Sequence, residues 1–324
     1  MKRNYTVSLK KKTKPSVEIP WKTVNKKYTY ELGIGNWELG IKNIIMNIKQ
    51  MNTILLTSIL LITNCIKNNV IETSESRNDS FVPEGYIQVW NDEFDDDNSR
   101  LPNADAWFYE TGDHGWGNNE LQNYIAAVSG TDSCAIVSGG TLKIIAKKKG
   151  DQVISIRMNT KKSWKYGYFE ARLKLPRGKG TWPAFWMLPQ NFRSWPSDGE
   201  IDIMEEVGYR PGWVSSSVHC YAYNHAAGTG KTGEQYIETA ESDFHIYAVE
   251  WTDDYIRGFV DGKMHFEFRN DRNDNKNTWP FDVPFYLKLN LAWGGNWGGY
   301  EGIDESVLPA VYEIDYVRVY QTNR

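Results

Sequence analysis

Four carboxylates crowd into seven residues of Ser197-Asp198-Gly199-Glu200-Ile201-Asp202-Ile203-Met204-Glu205-Glu206-Val207-Gly208, interleaved with β-favouring Ile and Val. Read as a strand, alternation puts Glu200 and Asp202 on one face and Ile201 and Ile203 on the other. Like charges stacked on one strand face repel and gain nothing for folding. Clusters of this kind serve as metal sites or as paired-carboxylate catalysts, because crowding drives pKa values apart and yields an acid and a base. The alternative is a solvated acidic strand end. In a regular strand Glu205 points away from Glu200 and Glu206 shares its face. A β-bulge after Asp202 absorbs one residue and reverses that, placing Glu205 beside Glu200 and Asp202.

His219 in Val214–Tyr223 (VSSSVHCYAY) lies on a polar face with Ser215, Ser217, Tyr221 and Tyr223, opposite Val218, Cys220 and Ala222. It reads either as a hydrogen-bonded structural histidine or as part of the acidic site. Trp182 and Trp186 stand four apart in GTWPAFWMLPQ (180–190), around Pro183. Since Pro cannot donate to a ladder, this segment is expected at an edge, a bulge or a rim. Its tryptophans read as sugar-stacking platforms or, alternatively, as core. NLAWGGNWGGY (290–300) again mixes Trp with Gly turns, and Trp293 is expected to leave the packed face. DHGWGNNELQNY (113–124) has the Gly/Asn/aromatic chemistry of a binding loop. No His/Cys cluster has zinc spacing, and neither a phosphate-binding glycine loop nor a Gly-x-Ser-x-Gly elbow occurs.

The elements that must position these groups are short alternating runs: Tyr86–Trp90, Thr141–Ala146, Tyr166–Leu175, Val214–Tyr223, His245–Trp251, Tyr255–Val260, Phe285–Leu291 and Val311–Tyr320. Gly, Asn, Asp and Pro separate them, and no long amphipathic helical period intervenes. That pattern predicts an antiparallel all-β sandwich or barrel. In one run Tyr168, Glu170, Arg172 and Lys174 are expected to face water, against a packed face of Phe169, Ala171, Leu173 and Leu175. Asp261-Gly262 marks a hairpin.

Length and composition bound the rest. The 324 residues suffice for one large all-β domain or two ordinary ones. Twelve of the 14 Trp lie between Trp90 and Trp297, more than a core needs and suited to flat sugar faces. Residues 1–45 carry ten Lys/Arg and three Asp/Glu, so with a total of −4 the remainder is near −11. An acidic domain argues against nucleic-acid binding. The apolar run Thr53–Cys65 (TILLTSILLITNC) is too short to span a bilayer and fits a signal-peptide core. Translation is expected to start at Met46, leaving 1–45 as an upstream mis-start or disordered extension; a genuine basic extension is the alternative. Residues 66–84 read as a flexible linker and 85–322 as the folded domain. Cys134 and Cys220 read as buried free thiols.

Several segments together resemble one family, glycoside hydrolase family 16, and within it the laminarinase-like endo-β-1,3-glucanases. They are Trp90–Phe94 (WNDEF), GNNELQNY at 117–124, YGYFEARLKLP at 166–176, GTWPAFWML at 180–188, GEIDIMEEVG at 199–208, SSVH at 216–219, HIYAVEW at 245–251, NLAWGGNWGG at 290–299 and DYVRVYQ at 315–321. The resemblance implies a concanavalin A-like β-jelly-roll sandwich of two curved antiparallel sheets, with a substrate cleft on the concave face. It implies Glu200 as nucleophile, Glu205 as general acid/base and Asp202 between them as the group that tunes protonation, with Met204 the extra residue of the bulge. It carries over Asn118, Arg157, Trp182, Trp186, His219 and Asn290 as substrate contacts, with Trp293 where a smaller aliphatic residue is expected. It implies no cofactor for the chemistry and a structural calcium at Glu93, Gly140 and Asp315, for which an ordinary surface acid pair is the alternative. Ile62-Thr63-Asn64-Cys65 resembles a lipobox, with Asn64 in place of the usual small residue. An exported bacterial lipoprotein attached through Cys65 follows, a monomer acting on β-glucan, with mixed-linkage glucan, an algal galactan or a non-catalytic sugar-binding role as alternatives.

Overall fold

The computed structural model describes residues 81–323; the expectations for the signal segment, the lipobox and most of the linker fall outside them. The described residues form two stacked sheets, with strands numbered in chain order. The seven-stranded sheet runs β12 (Lys231–Tyr236), β11 (Trp213–His219), β10 (Glu200–Glu205), β9 (Thr181–Pro189), β16 (Phe285–Trp293), β7 (Arg157–Thr160), β2 (Trp107–Tyr109). The ten-stranded sheet runs β15 (Lys263–Arg269), β14 (Tyr255–Val260), β13 (His245–Trp251), β8 (Gly167–Lys174), β17 (Ala310–Thr322), β5 (Thr141–Lys149), β6 (Gln152–Ser155), β3 (Asn123–Tyr124). Off that path β1 (Tyr86–Asp92) pairs with β17, and β4 (Ala135–Ser138) with β5. Pairing is antiparallel except between β3 and β6. The architecture is the β-jelly-roll sandwich.

Period-2 alternation builds the core between the sheets. Phe285, Leu287, Leu289 and Leu291 of β16 and Phe169, Ala171 and Leu173 of β8 are all buried in it. Asp261 and Gly262 both take positive φ, 47° and 72°, which makes a primed two-residue turn between β14 and β15. Cys134 and Cys220 are buried free thiols, as expected.

Four expectations need correction. β11 ends at His219, where the chain turns, so Tyr221 and Tyr223 do not share its face. Tyr168 and Glu170 are buried rather than wet: the ring of Tyr86 packs on Tyr168, and Tyr320 on both. β9 is a central strand despite Pro183. The proline is tolerated because, on the β10 side, it lies just past that strand's end, where the Glu206 N–H reaches its carbonyl at 3.5 Å and no ladder donor is required of it. Finally, Trp293 is buried in the inter-sheet core. It is two residues from Leu291 and therefore on the same strand face. Gly180, at φ 105°, lies directly on its ring: a Cβ there would come within 2.9 Å of the indole.

Candidate active site

The geometry of β10 carries the site. Asp202 faces Trp186 on β9, but Met204, not Ile203, faces Phe185, so one residue is absorbed. On the other side Asp202 faces Ser217 and Glu205 faces Ser215, three residues against two. Ile203 and Met204 are consequently both buried in the core, and Glu205 opposes Ala184 on the outer face. The bulge thus brings Glu200, Asp202 and Glu205 to one face. Glu206 goes the other way: it is fully buried, and its Oε1 accepts the Gly212 N–H at 2.7 Å.

Asp202 is buried, whereas Glu200 and Glu205 keep partial access. His219, directly across from Glu200 in register, places Nε2 at 3.2 Å from Asp202 Oδ2 and 3.9 Å from Glu200 Oε1. Trp182 donates its Nε1–H to Glu205 Oε1 at 2.9 Å, and its ring meets Trp297 edge-on. Burial, then repulsion from Asp202, pushes Glu200 to about 8, against the pull of His219 and Arg157. The same two causes push Glu205 to about 8, opposed by the Trp182 hydrogen bond, and burial pushes Asp202 to about 8. Three such groups titrate as a set and cannot all be ionised near neutrality. Arg157 favours the carboxylate form of Glu200, which leaves Glu205 to hold a proton. Glu200, Asp202 and His219 also place ligand atoms within 4.8 Å of one another, a spacing a metal ion could use, at the cost of tying up the partly accessible Glu200 carboxylate.

On the same outer face, across β9, β16 and β7, lies a platform. Trp186, Ala184 and Leu188 form a small cluster with Tyr286, apart from the core. The Trp186 Nε1–H donates to Asn290 Oδ1 at 2.7 Å, and Asn290 in turn donates to Tyr124 Oη at 3.1 Å. Arg157 sits 4.8 Å over Trp186 and 4.6 Å over Trp116. The neighbouring Lys288, fully buried, stands 4.9 Å over the Trp186 ring and donates to Glu110 at 2.7 Å. Glu110 also receives Arg157 at 2.6 Å; these two cations overcome its burial and hold it at about 2. Burial and Arg157 draw Lys288 down to about 7. Asn118 is partly exposed in the 113–124 loop, its carbonyl taking the Asn296 N–H at 2.7 Å.

The structure therefore gathers Glu200, Asp202, Glu205, His219, Trp182, Trp186, Arg157 and Asn290 on one face and removes Trp293 from it. Sequence reasoning missed Glu110, Trp116, Lys288, Trp195 and His225. The rings of Trp195 and His225 meet at a tilt, centroids 4.8 Å apart, and His225 meets His219 edge-on at 5.2 Å. Lys288 had a signal, a lone cation inside the apolar run Phe285–Leu291; Trp195 and His225 come from loops whose folding no local period reports. The expected calcium residues lie elsewhere. Glu93 is held by both nitrogens of the Arg318 fork, at 2.9 and 2.8 Å, and Asp315 accepts from Arg172 at 2.9 Å.

Comparison with known proteins agrees with this geometry. The chain is 48% identical over 246 residues to a beta-glucanase of Rhodothermus marinus, spanning 72% of this chain and 84% of that one. The solved laminarinase of Rhodothermus marinus superposes with a TM-score of 0.70 at 46% identity, covering 74% of this chain and 98% of the other. SCLam, described as a non-specific endo-beta-1,3(4)-glucanase, gives 0.70 at 41% identity over 75% and 93%. The model of the glycosyl hydrolases family 16 matches residues 122–318, and the chain belongs to that family.

Proposed function

We propose that this protein is an endo-acting, retaining β-glucanase that hydrolyses β-1,3-glucan of the laminarin type by double displacement. The observation that carries the reading is the bulged strand β10, which turns Glu200, Asp202 and Glu205 to one face beside an indole platform. Glu200, ionised next to His219 and Arg157, attacks the anomeric carbon while Glu205 gives its proton to the departing glycosidic oxygen. A retaining pair needs the two carboxyl groups roughly 5–5.5 Å apart. Glu205, now a carboxylate, takes a proton from water, which opens the glycosyl ester and frees the sugar with retained configuration. Asp202, whose Oδ2 lies 3.2 Å from His219 Nε2, raises Glu205 by like-charge repulsion and so helps it hold its proton beforehand. Family 16 hydrolysis needs no cofactor. Asn118, Arg157, Trp182, Trp186, His219 and Asn290 are the proposed sugar contacts.

Product analysis on laminarin, barley β-glucan and agarose in parallel tests the reading, with the anomer followed by NMR. Laminarin oligosaccharides released first as the β-anomer are expected. Cleavage of agarose alone would overturn it. Additional cleavage of barley β-glucan is a second reading, favoured by the likeness to SCLam. Burial of Trp293 in the core removes the one residue that set this cleft apart from the expected shape. A sugar-binding module without catalysis is disfavoured, since binding gains nothing from three crowded acids.

Export as a lipoprotein anchored at Cys65, and action as a monomer, complete the proposal. The calcium does not fit as the acids stand: Glu93 and Asp315 are already paired to Arg318 and Arg172, so their donor set carries no surplus negative charge for a hard cation.

A further inference from the structure

The strand-borne platform groups described so far lie on β9, β16 and β7, to one side of the acids, while Trp116, Trp195 and His225 come from loops. An endo-acting enzyme cleaves in the middle of a chain, so sugars must also lie on the other side, over β11 and β12. There Trp213 and Tyr236 face each other across the ladder, ring centroids 5.6 Å apart, and both stay open to solvent, 39% and 55% exposed. Alternation puts Trp213 on the same outer face as Ser215, Ser217 and His219, while Val214 and Val218 enter the core. Glu200 opposes His219 and Glu205 opposes Ser215, so Trp213 lies two residues past the partner of Glu205, on the side away from Glu200. The Arg210 guanidinium stacks 4.4 Å over the Trp213 ring and is itself fixed by a two-pronged pair with Glu234, at 2.5 and 3.1 Å. A cross-strand aromatic pair alone helps an edge hairpin only modestly. Bracing one face of an exposed indole with a fixed guanidinium, two residues along β11 from the partner of the proton donor, does more: it preorganises a flat apolar surface for a ligand.

We propose that Trp213 and Tyr236 form a binding platform for the leaving-group half of the β-glucan chain. Glu205 protonates the departing oxygen, so the first released sugar sits against Glu205, and the chain beyond it runs toward β11 and β12. Sugar C–H faces stack on the indole and phenol. The same surface would receive an acceptor oligosaccharide if the glycosyl ester were transferred to sugar rather than water. The inference rests on the glucanase reading and on Glu205 as the acid.

Trp213→Ala, Tyr236→Ala and Trp213→Phe, each checked for an unchanged melting temperature, test it with two substrates. Laminarin places sugars on both sides of the cleavage point; a 4-nitrophenyl laminari-oligosaccharide places only an aryl group on the leaving side. For the Ala variants kcat/KM on laminarin should fall about 3- to 10-fold further than on the aryl glycoside, the range of one lost stacking contact. Trp213→Phe should recover most of the difference. Equal changes on the two substrates, including none on either, would overturn the platform while leaving the glucanase reading intact. A wild-type protein inactive on laminarin would instead overturn both.

Discussion

The two outer faces of the sandwich each bury carboxylates, and they treat them in opposite ways. On the ten-stranded sheet Glu170 is fully buried, yet Arg318 faces it across the ladder, with NH1 3.9 Å away, and Tyr320 donates its hydroxyl at 3.2 Å. Glu93 shares that same arginine, and Asp315 has Arg172. On the seven-stranded sheet no guanidinium pairs with Glu200 or Glu205: their neighbours are Asp202, His219 and the Trp182 N–H, with Arg157 acting on Glu200 only through its field. Burial alone therefore does not mark a catalytic acid. The mark is several acids crowded on one face and still open in part to solvent, which a fold has no reason to build.

Removing a member of the crowded set should have the largest effect. Glu200→Ala is expected to lose about 10⁴-fold or more in kcat, because no covalent intermediate can form. Azide, small enough to enter the vacated space, should restore turnover on an activated aryl glycoside and give the inverted azide product. An Ala variant that still turned over laminarin would move the nucleophile elsewhere.

Next comes the pair that the bulge separates. Glu205→Gln should cost about 10²–10⁴-fold on laminarin and much less on an aryl glycoside whose leaving group needs no proton. Glu206→Gln should change kcat by less than about 2-fold. The alkaline limb of the wild-type profile should also lie high, activity falling only as pH rises through about 8, since Glu205 must be protonated and burial with Asp202 raises it. A fall already complete by pH 6 would contradict that environment, and a dead Glu206→Gln enzyme would mean that the strand runs without its bulge.

How much of this could be read from the chain depends on the range of the interaction involved. Parity along β10, with its acids, sufficed for the bulge, because the face of a strand residue is a local property. His219 on the polar face of β11 followed in the same way. Parity misapplied at Trp293 sent a core residue outside, though its spacing from Leu291 already placed them together. Pro183 misled for a different reason: a proline excludes a ladder partner at one position, not a central place for the whole strand. Trp116, Trp195 and His225 were illegible because their loops are ordered by contacts from distant segments. The burial of Tyr168 and Glu170 depends on Tyr86 and Tyr320, which lie more than 80 residues away on either side in sequence.

The guanidinium-paired side predicts a stability effect without a kinetic one. Burial lifts Glu170 to about 7, with Arg318 opposing. A raised carboxylate contributes stability that is fully present below its unfolded value and is lost as pH rises through the folded one. Between pH 4.5 and 7 the wild type should thus lose on the order of 3 kcal/mol from this group. Glu170→Gln, which cannot ionise, should abolish most of that loss in urea titrations at pH 5 and 8, with kcat unchanged. A variant showing the full wild-type loss would mean that Glu170 stays ionised beside Arg318.

The smallest expected effect concerns the cation that sequence resemblance places on this same side. Calcium bound by the native state alone would stabilise it by RT ln(1 + [Ca²⁺]/Kd), several degrees of melting temperature at a large excess. Glu93 gives both oxygens to Arg318, and Asp315 gives one to Arg172. An incoming ion would have to compete with Arg318 for Glu93, leaving that guanidinium only its longer contact with Glu170. Millimolar calcium and EDTA should accordingly give melting temperatures within about 1 °C of each other. A calcium-dependent rise of several degrees, lost in Glu93→Gln, would show that the arginine pairing gives way to the metal, and would make this face a cation site after all.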